Sequence, residues 1–137
     1  MKGQGFSLLE LLVALAILGI VSVLAYANYT PTYRLGAATK ELYQVLQTAR
    51  TEAIRRGSPV TVRVEGGILV VEAEGKTLAR FQPQNYSVTL TPVSSQLTLN
   101  ALGRPSEEAE QVFSLSLGNR TRTLAMEASG YIQRRQP

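Results

Sequence analysis

Gly5-Phe6-Ser7-Leu8-Leu9-Glu10, running into an uncharged stretch over residues 11–33, decides how this chain is organised. Residues 11–27 are almost wholly Leu, Val, Ala and Ile. About 20 apolar residues suffice to cross a bilayer as a helix. A charge near the bilayer core costs at least ~2.5 kcal/mol, which makes an ionisable residue there a functional candidate. Glu10 is that residue, and it needs a positive partner. The nearest cation in sequence, Lys2, lies eight positions away, not at the three- or four-residue spacing of helical neighbours.

This arrangement resembles the class III signal of type IV prepilins and pseudopilins: a short basic leader, Gly, a cut, Phe, and Glu as the fifth residue after the cut. The leader here is residues 1–5, the peptidase site Gly5–Phe6, and the fifth residue Glu10. The resemblance implies cleavage by a prepilin peptidase and N-methylation of Phe6. It also supplies the missing partner. The carboxylate of one subunit meets the new α-amino group of a neighbour, which makes Glu10 the filament-assembly residue.

Two plainer readings use the same residues. Ala25-Tyr26-Ala27 before Asn28 offers a small-x-small cleavage site, as in a secretory signal peptide releasing a soluble envelope β-domain protein. Alternatively, the segment is a simple single-pass anchor whose Glu10 reaches the headgroups.

The 137 residues leave about a hundred beyond the apolar segment, enough for one modest core. His, Cys and Asp do not occur in the chain. Nucleophile systems built on Ser-His-Asp or Cys-His, and the usual zinc sites, are therefore excluded. Glu107, Glu108 and Glu110 read as a solvated acidic loop beside Gly103, Pro105 and Ser106. Gly66-Gly67 reads as a turn between strands, not a phosphate loop. The expectation is a protein without catalytic residues, metal or cofactor. Of the 14 cations, 11 are Arg, suited to planar phosphate contacts. Positive charge gathers on residues 34–56 and again after residue 118.

Residues 6–56 read as one long helix with a kink expected near Pro31. Leu35, Ala38, Leu42, Val45, Ala49 and Ala53 recur at three- and four-residue spacing and predict one face that covers a sheet. Arg55-Arg56, Gly57 and Pro59 end the helix. The apolar period then switches to two. Strands are predicted at residues 60–64, 68–73, 77–81, 86–90, 96–100, 112–117, 121–126 and 131–132. The division that follows is a leader (1–5), a transmembrane and filament-core helix (6–33), an amphipathic helical half (34–57) and a β-rich globular domain (58–137). The fold class is α+β, a long N-terminal helix on antiparallel strands.

The resemblance extends further. Leu46 to Val62, with Ala49-Arg50-Thr51-Glu52-Ala53-Ile54 and Arg56-Gly57 at its centre, is similar to the helix end and first strand of the FimT/GspH branch of pseudopilins. Leu99 to Gly103, Phe113 and Gly130 to Arg135 fill the later part of that pattern. The resemblance implies two antiparallel sheets against the helix. Many members close on a Gly-Arg-x-Arg-like strand; here Tyr131 takes the first Arg position and Arg134-Arg135 follow.

A minor pilin or pseudopilin is thus expected. It sits in the bacterial inner membrane and then in a type IV pilus or a type II secretion pseudopilus, with other pilins as partners. DNA is a further candidate partner. Arg120, Arg122, Arg134 and Arg135 offer phosphate contacts, and Tyr131 offers a ring for stacking on an unpaired base.

Overall fold

The computed structural model describes residues 7–135. Its first element, α1 (Leu8–Arg56), is 49 residues long. The chain divides into two compact units, Met1–Tyr33 and Arg34–Pro137.

In the first unit, every residue over 8–27 is exposed, and the large apolar side chains Leu8 to Leu24 keep between 51% and 77% of their surface open. By length and composition α1 is long and apolar enough to cross a membrane, and its apolar stretch is exposed throughout. Its polar groups are returned to the backbone. Ser22 Oγ donates to the Leu18 carbonyl at 2.7 Å, and Thr30 Oγ1 to the Tyr26 carbonyl at 3.0 Å. Such back-bonding lowers the expense of placing a hydroxyl in a medium without water. Pro31 lies inside α1, and the helical assignment continues through it. Tyr29 and Tyr33 stack, with ring centroids 6.0 Å apart and planes 21° from parallel.

In the second unit the helical stripe is covered. Leu35, Ala38, Leu42, Val45, Leu46, Ala49 and Ala53 are buried, whereas Lys40, Gln44, Thr48 and Arg55 are exposed. Thr39 is buried among them, its hydroxyl donating to the Leu35 carbonyl at 2.6 Å. At the C-terminal end Gly57 adopts φ +60°, the left-handed conformation that closes a helix.

Eight strands follow: β1 (Val60–Glu65), β2 (Ile68–Ala73), β3 (Lys76–Phe81), β4 (Thr89–Pro92), β5 (Gln96–Leu99), β6 (Gln111–Leu117), β7 (Arg120–Met126) and β8 (Ile132–Arg135). They form two four-stranded sheets with orders β3-β2-β1-β5 and β4-β6-β7-β8. Every pairing is antiparallel. In the first sheet Val62 stands opposite both Val71 and Leu97, and Leu69 opposite Phe81. In the second, Leu90 faces Leu115, Phe113 faces Leu124, and Met126 faces Ile132. These side chains and the buried stripe of α1 make one hydrophobic cluster. One face of each sheet therefore shares its core with the helix, as the spacing of residues 35–53 predicts.

The predicted strand at residues 86–90 is corrected. Pro83–Tyr86 forms a 3-10 turn instead, Ser87 is left-handed at φ 57°, and the strand begins at Thr89. Pro83 supplies a fixed φ at the first position of the turn. The amides of Ser87 and Val88 then donate back to the carbonyls of Gln84 and Pro83, at 3.0 and 3.2 Å. Tyr86 is thereby turned toward α1, where its hydroxyl donates to Glu41. The last strand is also longer than predicted, reaching Arg135.

Candidate functional site

The first candidate is the start of α1. Ser7 Oγ accepts the Leu9 amide at 3.2 Å, and the Ser7 carbonyl accepts the Leu11 amide at 3.1 Å. Ser7 thus caps the helix. Glu10 sits in the first turn, where the partial positive charge of the helix terminus favours a carboxylate. Ser7-Leu8-Leu9-Glu10 fits the spacing of a capping box, a helix-initiation signal that the sequence itself carries. Glu10 is exposed, and no ion-pair partner for it occurs among the described residues. The peptidase and methylation positions Gly5 and Phe6 lie outside the described residues.

Along the same unit, Ala16, Gly19, Ile20, Val23 and Leu24 line an open apolar concavity. A side chain placed at Gly19 would meet nothing within 4 Å. Small residues of this kind let a second helix approach closely.

The second candidate is the cationic end of the β-domain. On β7, Arg120 stands opposite Leu117 and Arg122 opposite Leu115; on β8, Arg134 stands opposite Leu124. Strand alternation places Arg120, Arg122 and Arg134 on the face of the sheet that carries the core residues Leu124, Met126 and Ile132. The guanidinium groups of Arg122 and Arg134 reach toward α1. Arg134 Cζ lies 6.0 Å from the centre of the Tyr43 ring, and Arg122 Nη1 lies 3.6 Å from where a Cβ would sit on Gly36. Arg135 stands opposite Thr123, on the other face, and its Nη2 pairs with Glu110 Oε1 at 2.6 Å. Tyr131 is 58% exposed and precedes β8. The four arginines thus divide three and one across the sheet, which their spacing along the chain does not reveal.

A third cluster is purely ionic. Glu52 accepts from Arg55 Nη2 at 2.7 Å and from Arg56 Nε at 2.9 Å, and Arg56 Nη1 stands 3.7 Å from Glu74 in the β2–β3 turn. The hydrogen bonds from Arg55 and then Arg56 hold the Glu52 carboxyl down to about 2. The predicted acidic loop is also engaged: Gln111, buried, donates to Glu107 at 3.1 Å.

An N-terminal helix whose first half is bare and apolar, and whose second half is sealed against two antiparallel sheets, defines a type IV pilin-like subunit. Crystal structures of the type IV minor pilin FimU from Pseudomonas aeruginosa share the fold. One superposes with a TM-score of 0.67 over 79% of this chain and 92% of that chain, at 22% identity. A second crystal form gives 0.63 over 74% and 93%, at 23% identity. The chain belongs to the GspH family of type II transport proteins, matched over residues 38–130, and residues 1–26 match the prokaryotic N-terminal methylation motif. It is a prepilin or pseudopilin with a class III signal. No curated protein matches the chain.

Proposed function

We propose that this chain is a minor subunit of a type IV pilus or of a type II secretion pseudopilus. In this reading it is inserted once in the bacterial inner membrane and cut by a prepilin peptidase between Gly5 and Phe6. It then joins other pilins through residues 6–33, and its role is structural, without bond chemistry. The observation that carries the reading is the methylation motif leading directly into a helix whose residues 8–27 are exposed and apolar. Surface of that kind is unstable in water, and lipid and neighbouring helices are the two environments that cover it. The alternatives, a released soluble β-domain or a plain anchor, leave the motif without a purpose.

The N-terminus and Glu10 test the proposal together. Mass analysis of membrane-derived protein should find an N-methylated Phe6 as the first residue; a first residue at Asn28 would retire the pilin reading. Glu10→Leu should insert at least as well as wild type, because it removes a costly carboxylate. It should fail to co-purify with other pilins, because a neighbour's amine loses its counter-charge. Normal incorporation of Glu10→Leu would reduce Glu10 to a helix-capping role. Deletion of the gene, scored separately for twitching, DNA uptake and secretion, distinguishes the two machines.

DNA uptake draws narrower support. Arg120, Arg122 and Arg134 share one face, and Arg contacts to phosphate would give affinity that falls with salt. Arg135 is engaged by Glu110 on the other face.

A further inference from the structure

Arg122 and Arg134 of the β-domain meet α1 beside Lys40, near the beginning of the helical segment of the second unit. Gly36, Lys40 and Tyr43 recur at four- and three-residue spacing and so lie along one side of α1. Arg122 comes against Gly36 and Arg134 lies over Tyr43, placing Lys40 between two guanidinium groups. Arg34, Lys40, Arg122 and Arg134 pair with no carboxylate among the described residues, whereas Arg55, Arg56, Arg63 and Arg135 each hold one. A Cβ at position 36 would be in ordinary van der Waals contact with Arg122 Nη1, at 3.6 Å, which shows how closely the guanidinium approaches the helix. The result is a cluster in which Arg122 is half-buried, Lys40 and Arg134 are exposed, Arg134 lies over an aromatic ring, and no carboxylate among the described residues pairs with them.

Two classes of external anion suit such a surface, phosphodiesters of lipid and phosphodiesters of nucleic acid. Chain connectivity favours the first. Gly36 is nine residues from Ala27, the end of the apolar run; Tyr29 and Tyr33 occupy the interval and Tyr26 stands just before it. Exposed tyrosines at the end of an apolar segment mark the lipid–water boundary. When the apolar run is in lipid, a tether of nine residues holds the cations at high effective concentration near headgroups. Nucleic acid has no such tether.

We propose that Arg122 and Arg134, with Lys40 between them, form a contact surface for the headgroups of anionic phospholipids in the membrane occupied by the chain's own apolar segment. The proposal rests on the membrane-inserted reading above. Headgroup contact would hold the domain down on the bilayer before assembly, and leaving the membrane would release it.

The test uses the full chain reconstituted in vesicles of phosphatidylcholine alone or with phosphatidylglycerol, doped with a headgroup-photoreactive version of either lipid. Resistance to alkaline extraction reports insertion, so failure to insert overturns the membrane reading itself. With insertion established, phosphatidylglycerol should crosslink to peptides spanning residues 120–126 and 132–135, and added salt should suppress the crosslinks. Each cation near an anionic surface contributes about a fivefold effect, so Arg122→Gln with Arg134→Gln should lower the yield about 30-fold. Arg122→Lys with Arg134→Lys should restore most of it, and the remote pair Arg80→Gln with Arg104→Gln should leave it unchanged. If the glutamine pair does not fold, the wild-type difference between the two lipids, mapped to those peptides, still decides. Equal crosslinking from both lipids, or equal losses from both glutamine pairs, overturns the proposal. So does duplex DNA binding that depends on Arg122 and Arg134 without any lipid crosslink, which would make nucleic acid the occupant.

Discussion

At the scale of single residues, Glu52 shows how a family pattern translates into charge physics. It lies one turn before the end of α1 and accepts from two arginines that also complement the helix terminus. Its carboxyl titrates near about 2 in the folded chain against 4.5 for an ordinary glutamate. A depressed folded value means that its contribution is complete above about 4.5 and lost as the pH falls toward about 2. Glu52→Gln should therefore unfold at a lower temperature than wild type at pH 7, and the gap should close on acidification to pH 2. A gap that persists at low pH would assign Glu52 a role in packing instead. Glu10, by contrast, was legible in two ways: as a carboxylate heading an apolar run, and through the resemblance as the fifth residue after the cut. Its place in the first turn and the Ser7 cap became visible once the helix start was located at Leu8.

At the scale of elements, periodicity found the helix and most strands because burial follows period in both. The buried residues of α1 at positions 35–53 repeat every three or four, and those of β1 alternate from Val60. The exception, residues 83–87, is governed by local turn chemistry that alternation does not report. The division of the arginines was hidden for a different reason. Alternation separates Arg134 from Arg135, but the partner of each depends on register between distant strands. Loop packing was equally hidden. Gly130 has φ +80°, and a Cβ on it would stand 2.2 Å from the Gly103 carbonyl oxygen. Gly118 has φ +60° and open space around it. Gly118→Ala should cost about 1 kcal/mol, the left-handed strain alone. Gly130→Ala should cost clearly more, about 2 kcal/mol or above, because backbone must also move. Thermal unfolding of the two variants checks the order. Equal losses would mean that the Gly103 loop yields freely.

At the scale of the whole molecule, the two-sheet architecture was legible through resemblance, while the pairing of strands β4, β6, β7 and β8 into a separate sheet required coordinates. Among the described residues, the hydrophobic cluster of the second unit draws on none before Leu35. A fragment of residues 34–137 should accordingly stay soluble and unfold in one cooperative transition, followed by circular dichroism and sedimentation. Aggregation of that fragment, or a broad transition, would show that residues 7–33 complete the core. The strand orders carry one more consequence. Two open sheets have four edges, and an unprotected edge recruits strands from other molecules into aggregates. Each edge here is guarded: β3 by Lys76 and Arg80, β4 by Pro92, and β8 by Arg134 and Arg135. On β5, Pro105 bridges Leu99 and the Ser106 amide reaches the Thr98 carbonyl at 2.8 Å. Copies of this domain crowded side by side would therefore resist the strand addition that leads to amyloid-like deposits.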